Sequence, residues 1–250
     1  MKKRVFVLIT ALICLFALAS CENETAYSLY SGSVEKLNAA GGYEMNADVD
    51  IAITIGSQTV EGSMQMNLKA NGNNAAMDYS MDMMDNKVDM SVVYVDGVAY
   101  TEMSGVKYKA AVSEEELESD GGMASFELPE MTEDALKDIE LTEDGDNRSF
   151  TVTLTGDDVN SFWESIGSVA DSLAEMGADI DFGDLTFTCT FDKDSNMTDM
   201  KVDITYIMDV SGQEASVAMS LDYDFVNIGT APTITAPADA DSYIDADSLM

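Results

Sequence analysis

The 250-residue sequence contains no histidine, and only 12 lysines and arginines stand against 47 aspartates and glutamates, a formal charge of −35. Without imidazole there is no Ser-His-Asp relay, no Cys-His pair and no His-ligated metal. The shortage of cations argues against a nucleic-acid partner, because neutralising a phosphate backbone takes clustered Lys and Arg. No P-loop, dinucleotide fingerprint, G-x-S-x-G elbow or C-x-x-C pair occurs. Carboxylates are so abundant that no pair stands out as the acid and base of a glycosidase. The expectation is a protein that is not an enzyme and needs no cofactor.

What is present begins at the N-terminus. Lys2, Lys3 and Arg4 precede the uncharged run Val5 to Leu18, too short to cross a hydrocarbon core comfortably and matched to the apolar region of a secretory signal. The run ends Leu18-Ala19-Ser20-Cys21, which resembles a bacterial lipobox. That motif implies a signal peptide over 1–20, a diacylated Cys21, a short linker over 21–25, and a protein tethered by acyl chains to the extracytoplasmic face of the cell membrane. Removing the signal leaves nine basic residues against 47 acids, a charge of −38. Cys14 leaves with it and Cys21 takes lipid, so Cys189 has no disulfide partner and reads as a core residue of an alternating strand.

Beyond the linker, Tyr27, Tyr30, Val34 and Leu37 recur at spacings of three and four, the stripe of a helix over 26–40 ended by Gly41-Gly42. The period then falls to two. Tyr43, Met45, Ala47, Val49, Ile51, Ile53 and Ile55 alternate with Glu44, Asn46, Asp48, Asp50 and Thr54. Similar runs carry Val60, Met64, Met66, Leu68 and Ala70, then Met77, Tyr79, Met81 and Met83, and strands near 88–95, 98–103 and 106–111 follow. Such alternation marks antiparallel strands with one wet face, and Gly- and Asn-containing turns separate them.

Residues 113–146 hold fourteen carboxylates and one cation, Lys137, and read as a solvated connection with a short helix capped by Thr132. After a strand at 150–154, a second helix is expected over 158–176, with Val159, Phe162, Trp163 and Ile166 on its apolar face. Three alternating strands follow near 185–191, 200–208 and 217–225, then a short strand near 233–235. The predicted fold is α+β: a curved antiparallel sheet of about 10–11 strands, a half-open barrel, with the helices covering its concave face. It forms one domain over 26–235, its halves 26–112 and 147–235 joined by the 113–146 connection, with a loose acidic tail over 236–250.

This order of elements, with the lipobox Leu18–Cys21, Val95-Asp-Gly-Val-Ala-Tyr100, the turn Asp192-Lys-Asp-Ser-Asn-Met197 and the ending Tyr223-Asp-Phe-Val-Asn-Ile228, resembles the lipoprotein carriers LolA, LolB and LppX/LprG. The resemblance implies a concave face that holds acyl chains or lipid-linked molecules. The strongly acidic charge departs from a typical carrier. The residues expected to line such a cavity are Ile51, Ile53, Met64, Met66, Leu68, Met77, Tyr79, Met81, Phe162, Trp163, Ile166, Phe187, Val202, Ile204 and Met219. Methionine thioethers adapt to varied apolar shapes, although the same residues suit a solid core. That second reading is a structural or interaction lipoprotein with no ligand.

Asp192, Asp194 and Asn196 have the alternate-oxygen spacing that opens a calcium loop, but no central Gly or terminal Glu follows, which favours a hairpin turn. Cations are expected to associate with the acidic surface only diffusely.

Overall fold

The structure is a computed structural model that describes residues 24–84, 86–112, 128–129, 131–156, 158–160, 162, 179–210 and 213–246. The signal peptide, Cys21, Trp163, Ile166 and most of the expected 158–176 helix lie outside the described residues; Asp158–Asn160 and Phe162 are helical.

The strands form a single open sheet. After helix α1 (Ala26–Ala39) come β1 (Gly42–Ile55), β2 (Gln58–Asn71), β3 (Asn74–Met83), β4 (Asn86–Val95), β5 (Val98–Met103) and β6 (Val106–Ala111). Helix α2 (Glu133–Leu136) leads to β7 (Thr142–Asp144), β8 (Asn147–Leu154), β9 (Asp179–Phe191), β10 (Met197–Val210), β11 (Gln213–Val226) and β12 (Ile244–Asp245). Their order is β12-β6-β5-β4-β3-β2-β1-β11-β10-β9-β8-β7. All neighbours are antiparallel except β12 on β6. The sheet is curved but does not close: β7 and β12 are its two edges.

Register makes the faces uniform. Phe187, Val202, Leu221, Val49, Met64, Met81 and Val88 stand side by side in one row from β9 to β4. Because side chains alternate, fixing one such row puts most of the large apolar residues of these strands on a common dry face, with Ile207 and Val93 among the exceptions. Asp96-Gly97 and Ser104-Gly105, all at positive φ, are the two-residue loops whose twist matches the flanking strands and so locks that register. At the β9–β10 bulge, a Cβ on Gly183 would lie 2.8 Å from the Thr205 carbonyl oxygen, so no larger residue fits without movement.

Helix α1 covers one wing of the dry face. Thr25 caps it by accepting from the Ser28 N–H, and Ser28 accepts from the Thr25 N–H in return, satisfying two otherwise orphaned donors. Its buried stripe is Ala26, Leu29, Tyr30, Ser33 and Leu37, with Tyr27 and Val34 packed at its margin. Tyr30 meets Phe187 and Phe150 edge-on, at ring separations of 5.7 and 6.4 Å, and Phe150 stacks on Phe191. The Tyr30 hydroxyl donates to the Pro129 carbonyl at 2.6 Å.

Two expectations need correction. The acidic connection is not wholly solvated, because Leu128, Met131 and Leu136 belong to the main core while the Thr132-capped α2 exposes its carboxylates. The C-terminal stretch is also not loose. It forms no strand at 233–235 but runs on to pair Ile244 with Tyr108. On the way, the Asn71 amide donates to the Pro232 carbonyl, Lys107 pairs with Asp239, and Tyr243 packs edge-on against Tyr100. Gly42 permits the crossing, since a Cβ there would lie 2.6 Å from the Ala231 Cα.

The other face is crowded with acids. Asp199 lies opposite Asp224, and Asp48 opposite Asp222, pairings that like charge makes unfavourable. Asp224 titrates above the ordinary carboxylate range, through partial burial first and then through its hydrogen bond to Asp199 and the charges of Asp199, Asp222 and Asp48.

Two predictions follow from this packing. Phe187→Ala empties the centre of the aromatic seam and should cost about 3–5 kcal/mol in urea unfolding; a cost below ~1 kcal/mol would show the seam is not what holds α1. For Asp224 the folded value is raised, so its protonation stabilises the fold below the ordinary carboxylate range and that contribution is lost as pH rises through the raised value. Asp224→Asn should therefore raise the melting temperature at neutral pH, by the equivalent of less than ~1 kcal/mol for so exposed a group, and make no difference near pH 3. A lower melting temperature at pH 7 would contradict this.

Candidate functional site

The dry face divides into a sealed part and an open part. Leu68, Phe162, Phe187, Val202 and Ile204 are buried in the core around α1, which makes them packing residues. Ile51, Ile53, Met64, Met66, Met77, Tyr79, Met81 and Met219 are only half-buried. They are contiguous: Ile51 faces Met219, Met64 faces Met81, Met66 faces Tyr79, and Leu68 faces Met77. The structure adds Val88, Met90 and Leu221 to this stretch, each half-buried and in register with it. Their alternation marked Val88 and Met90 as strand residues, but only the register shows which row they join.

Burial falls off in two directions. Along the row from β9 to β4, Phe187 is 0% exposed, Val202 4% and Val49 8%, and Met64, Met81 and Val88 are half-buried. Along β1, Met45 is fully buried while Ile51 and Ile53 are not. The less buried stretch lies mainly on β1 to β4, away from α1's aromatic seam, although the same strands bury Leu68, Val92 and Tyr94, and Val217 beside Ile53 is sealed. Chemically it offers thioether, aliphatic and one phenol group, with the Tyr79 hydroxyl directed to the Met81 sulfur at 3.6 Å.

Three open concavities formed by described residues, of about 740, 610 and 360 Å³, lie on the opposite, wet face. These hollows are set among carboxylates and amides. The largest presents Asn46, Asp48, Gln65, Asn67, Asp89 and Glu102. The Gln65 amide donates to Asp48 at 2.8 Å and the Asn67 amide to Asn46 at 2.6 Å, so these side chains hold one another. Among the described residues, no group of three or more Asp, Glu, Cys or His is placed to hold a metal ion.

The Asp192 turn shows where its oxygens go. Its carboxylate accepts the N–H groups of Asp194 and Asn196 at 2.9 and 2.8 Å, and the Asn196 side-chain amide at 3.0 Å. Partial burial works to raise its titration, but the bonds from Asn196 and Asp194 outweigh it and hold the carboxyl below its ordinary range. These are the contacts of a hairpin turn. The turn is in turn held by α1 and β8: Ser33 Oγ donates to the Ser195 carbonyl at 2.7 Å, Lys36 Nζ to the Asp194 carbonyl at 2.5 Å, and Arg148 to Ser195 Oγ at 2.8 Å. Arg148 also pairs with Glu24.

Other reactive groups are sealed. Burial pushes the Cys189 thiol up and away from the thiolate form that a nucleophile needs. Tyr30 is raised by burial and then by Cys189, and burial pushes Tyr223 up to about 12.

Comparison with known proteins adds a family but no activity. No curated protein matches the chain. Among solved structures, the ywiB protein from Bacillus subtilis is 13% identical, over 76% of this chain and 97% of its own, with a TM-score of 0.23. A DUF1329 family protein from Desulfovibrio piger is 8% identical, over 91% of this chain and all of its own, with a TM-score of 0.28. Superposition as poor as this bears on neither fold nor function. A family profile spans nearly the whole described chain, residues 25–243, and by it the protein belongs to a family of unknown function, DUF6612.

Proposed function

We propose that the protein binds an extended apolar ligand, an acyl chain or a lipid-like molecule, along the open stretch of its dry face, and does no chemistry on it. It does so while tethered by lipid on Cys21 to the extracytoplasmic face of the membrane. The observation that carries the reading is the contiguous, only partly buried band Ile51, Ile53, Met64, Met66, Met77, Tyr79, Met81 and Met219. A monomer rarely leaves so many large apolar side chains partly open in one place without a partner for them. Unbranched thioethers tolerate chains of different length and shape. The resemblance to lipoprotein carriers and the lipobox at Leu18–Cys21 point the same way. So does the absence of an activated nucleophile at Cys189.

The test is recovery of the ligand. Protein expressed without residues 1–20, and with Cys21 replaced by Ser, should carry co-purified lipid detectable by native mass spectrometry. A fluorescent fatty acid should bind it, and Met64→Asp should weaken that binding about 10- to 100-fold by placing an unpaired charge against the chain. If no lipid is recovered and neither protein binds the probe, the dry face is simply packed and the protein is a structural or interaction lipoprotein. If the two bind equally, the ligand sits elsewhere.

A further inference from the structure

We infer that the domain stands on the membrane with its β9–β10 turn towards the bilayer and the Gly56-Ser57 end of its sheet pointing away. The inference rests on the lipid anchor at Cys21 proposed above and deepens it by fixing which surface meets the lipid.

The described chain starts at Glu24, three residues after Cys21. At about 3.5 Å per extended residue, the lipidated cysteine is within roughly 10 Å of Glu24. Glu24 is not free to wander, because its carboxylate pairs with Arg148, whose side chain is 19% exposed and whose other nitrogen donates to Ser195 Oγ and the Asp192 carbonyl. Thr25 then caps α1, and α1 is bonded to the same turn through Ser33 and Lys36. The anchor therefore leaves the fold at one defined place, beside residues 192–196.

That turn marks one end of the sheet. Phe191 and Met197 flank it, and the register carries the same end across to Val226, Glu44 and Lys69, next to the Asn71–Asn74 turn. The opposite end holds the Gly56-Ser57 turn and Met84. A 14-residue strand such as β1 separates the two ends by about 45 Å. Laying the domain on its wet face would bring its carboxylates against the lipid headgroups, where anionic lipids repel them. The upright pose keeps them in water. Ile51, Ile53 and Met81 lie towards the far end of their strands, so that part of the band faces away from the bilayer in this pose.

Full-length lipidated protein carrying Lys193→Cys or Ser57→Cys, both at exposed turn positions, can be labelled with bimane, since Cys189 is buried, and reconstituted in phosphatidylcholine vesicles containing a headgroup nitroxide lipid. The label at 193 should be quenched several-fold more than the label at 57. Equal quenching, or stronger quenching at 57, overturns the orientation. Flotation with the same vesicles separates the two levels. If the wild-type protein floats no better than Cys21→Ser, the anchor itself is refuted; if it floats and the quenching order is reversed, only the pose is wrong.

Discussion

Among the described residues, the 14-residue helix α1 covers only part of the sheet's dry face. That mismatch shapes the molecule. Where α1 lies, Tyr30 closes edge-on over Phe150 and Phe187, and Leu29, Met45, Phe191 and Met200 are sealed with it. Where the helix does not reach, the same alternating pattern leaves methionines and isoleucines half in water. Hydrophobic burial stabilises roughly in proportion to area removed from water, so stability is concentrated in the β8–β10 wing.

The charge distribution is the complement of this arrangement. Acids alternate with the dry residues along nearly every strand, so register sets them beside one another as surely as it aligns the methionines. A few internal donors offset the repulsion: the Ser220 hydroxyl bonds to Asp203 and the Gln65 amide to Asp48. Lys107 bridges Glu102 and Asp239. Three of the scarce cations are used at joints, Arg148 and Lys36 fastening the N-terminal stem and Lys107 the C-terminal stretch.

Much of this was legible in residue order. Strict alternation over 43–55, 60–70 and 200–208 specified strands and which side chains share a face, because a period of two admits no other regular structure. Thr132 was readable as a cap and Asp192 as a turn residue. The stripe of α1 was read one position off, since Leu29 and Ser33 bury while Tyr27 and Val34 sit at the margin; a helix's inward direction depends on the surface it meets. The docking of Leu128, Met131 and Leu136, and the run of residues 227–245 to β6, depend on contacts between distant segments that local pattern does not encode. Which lining candidates are sealed and which are open was hidden for the same reason. Leu68 and Met66 look alike in sequence and differ only in their distance from the helix.

The ends of the strand order carry a last consequence. The outermost strands are three and two residues long, β7 ending in Glu143 and Asp144 and β12 in Asp245. Stacking of one molecule's sheet onto the next requires a long, matched run of free backbone groups, and short acidic borders deny it. So broad an open sheet would otherwise be a template for polymerisation. The two stubs themselves offer a neighbouring chain little backbone to pair with.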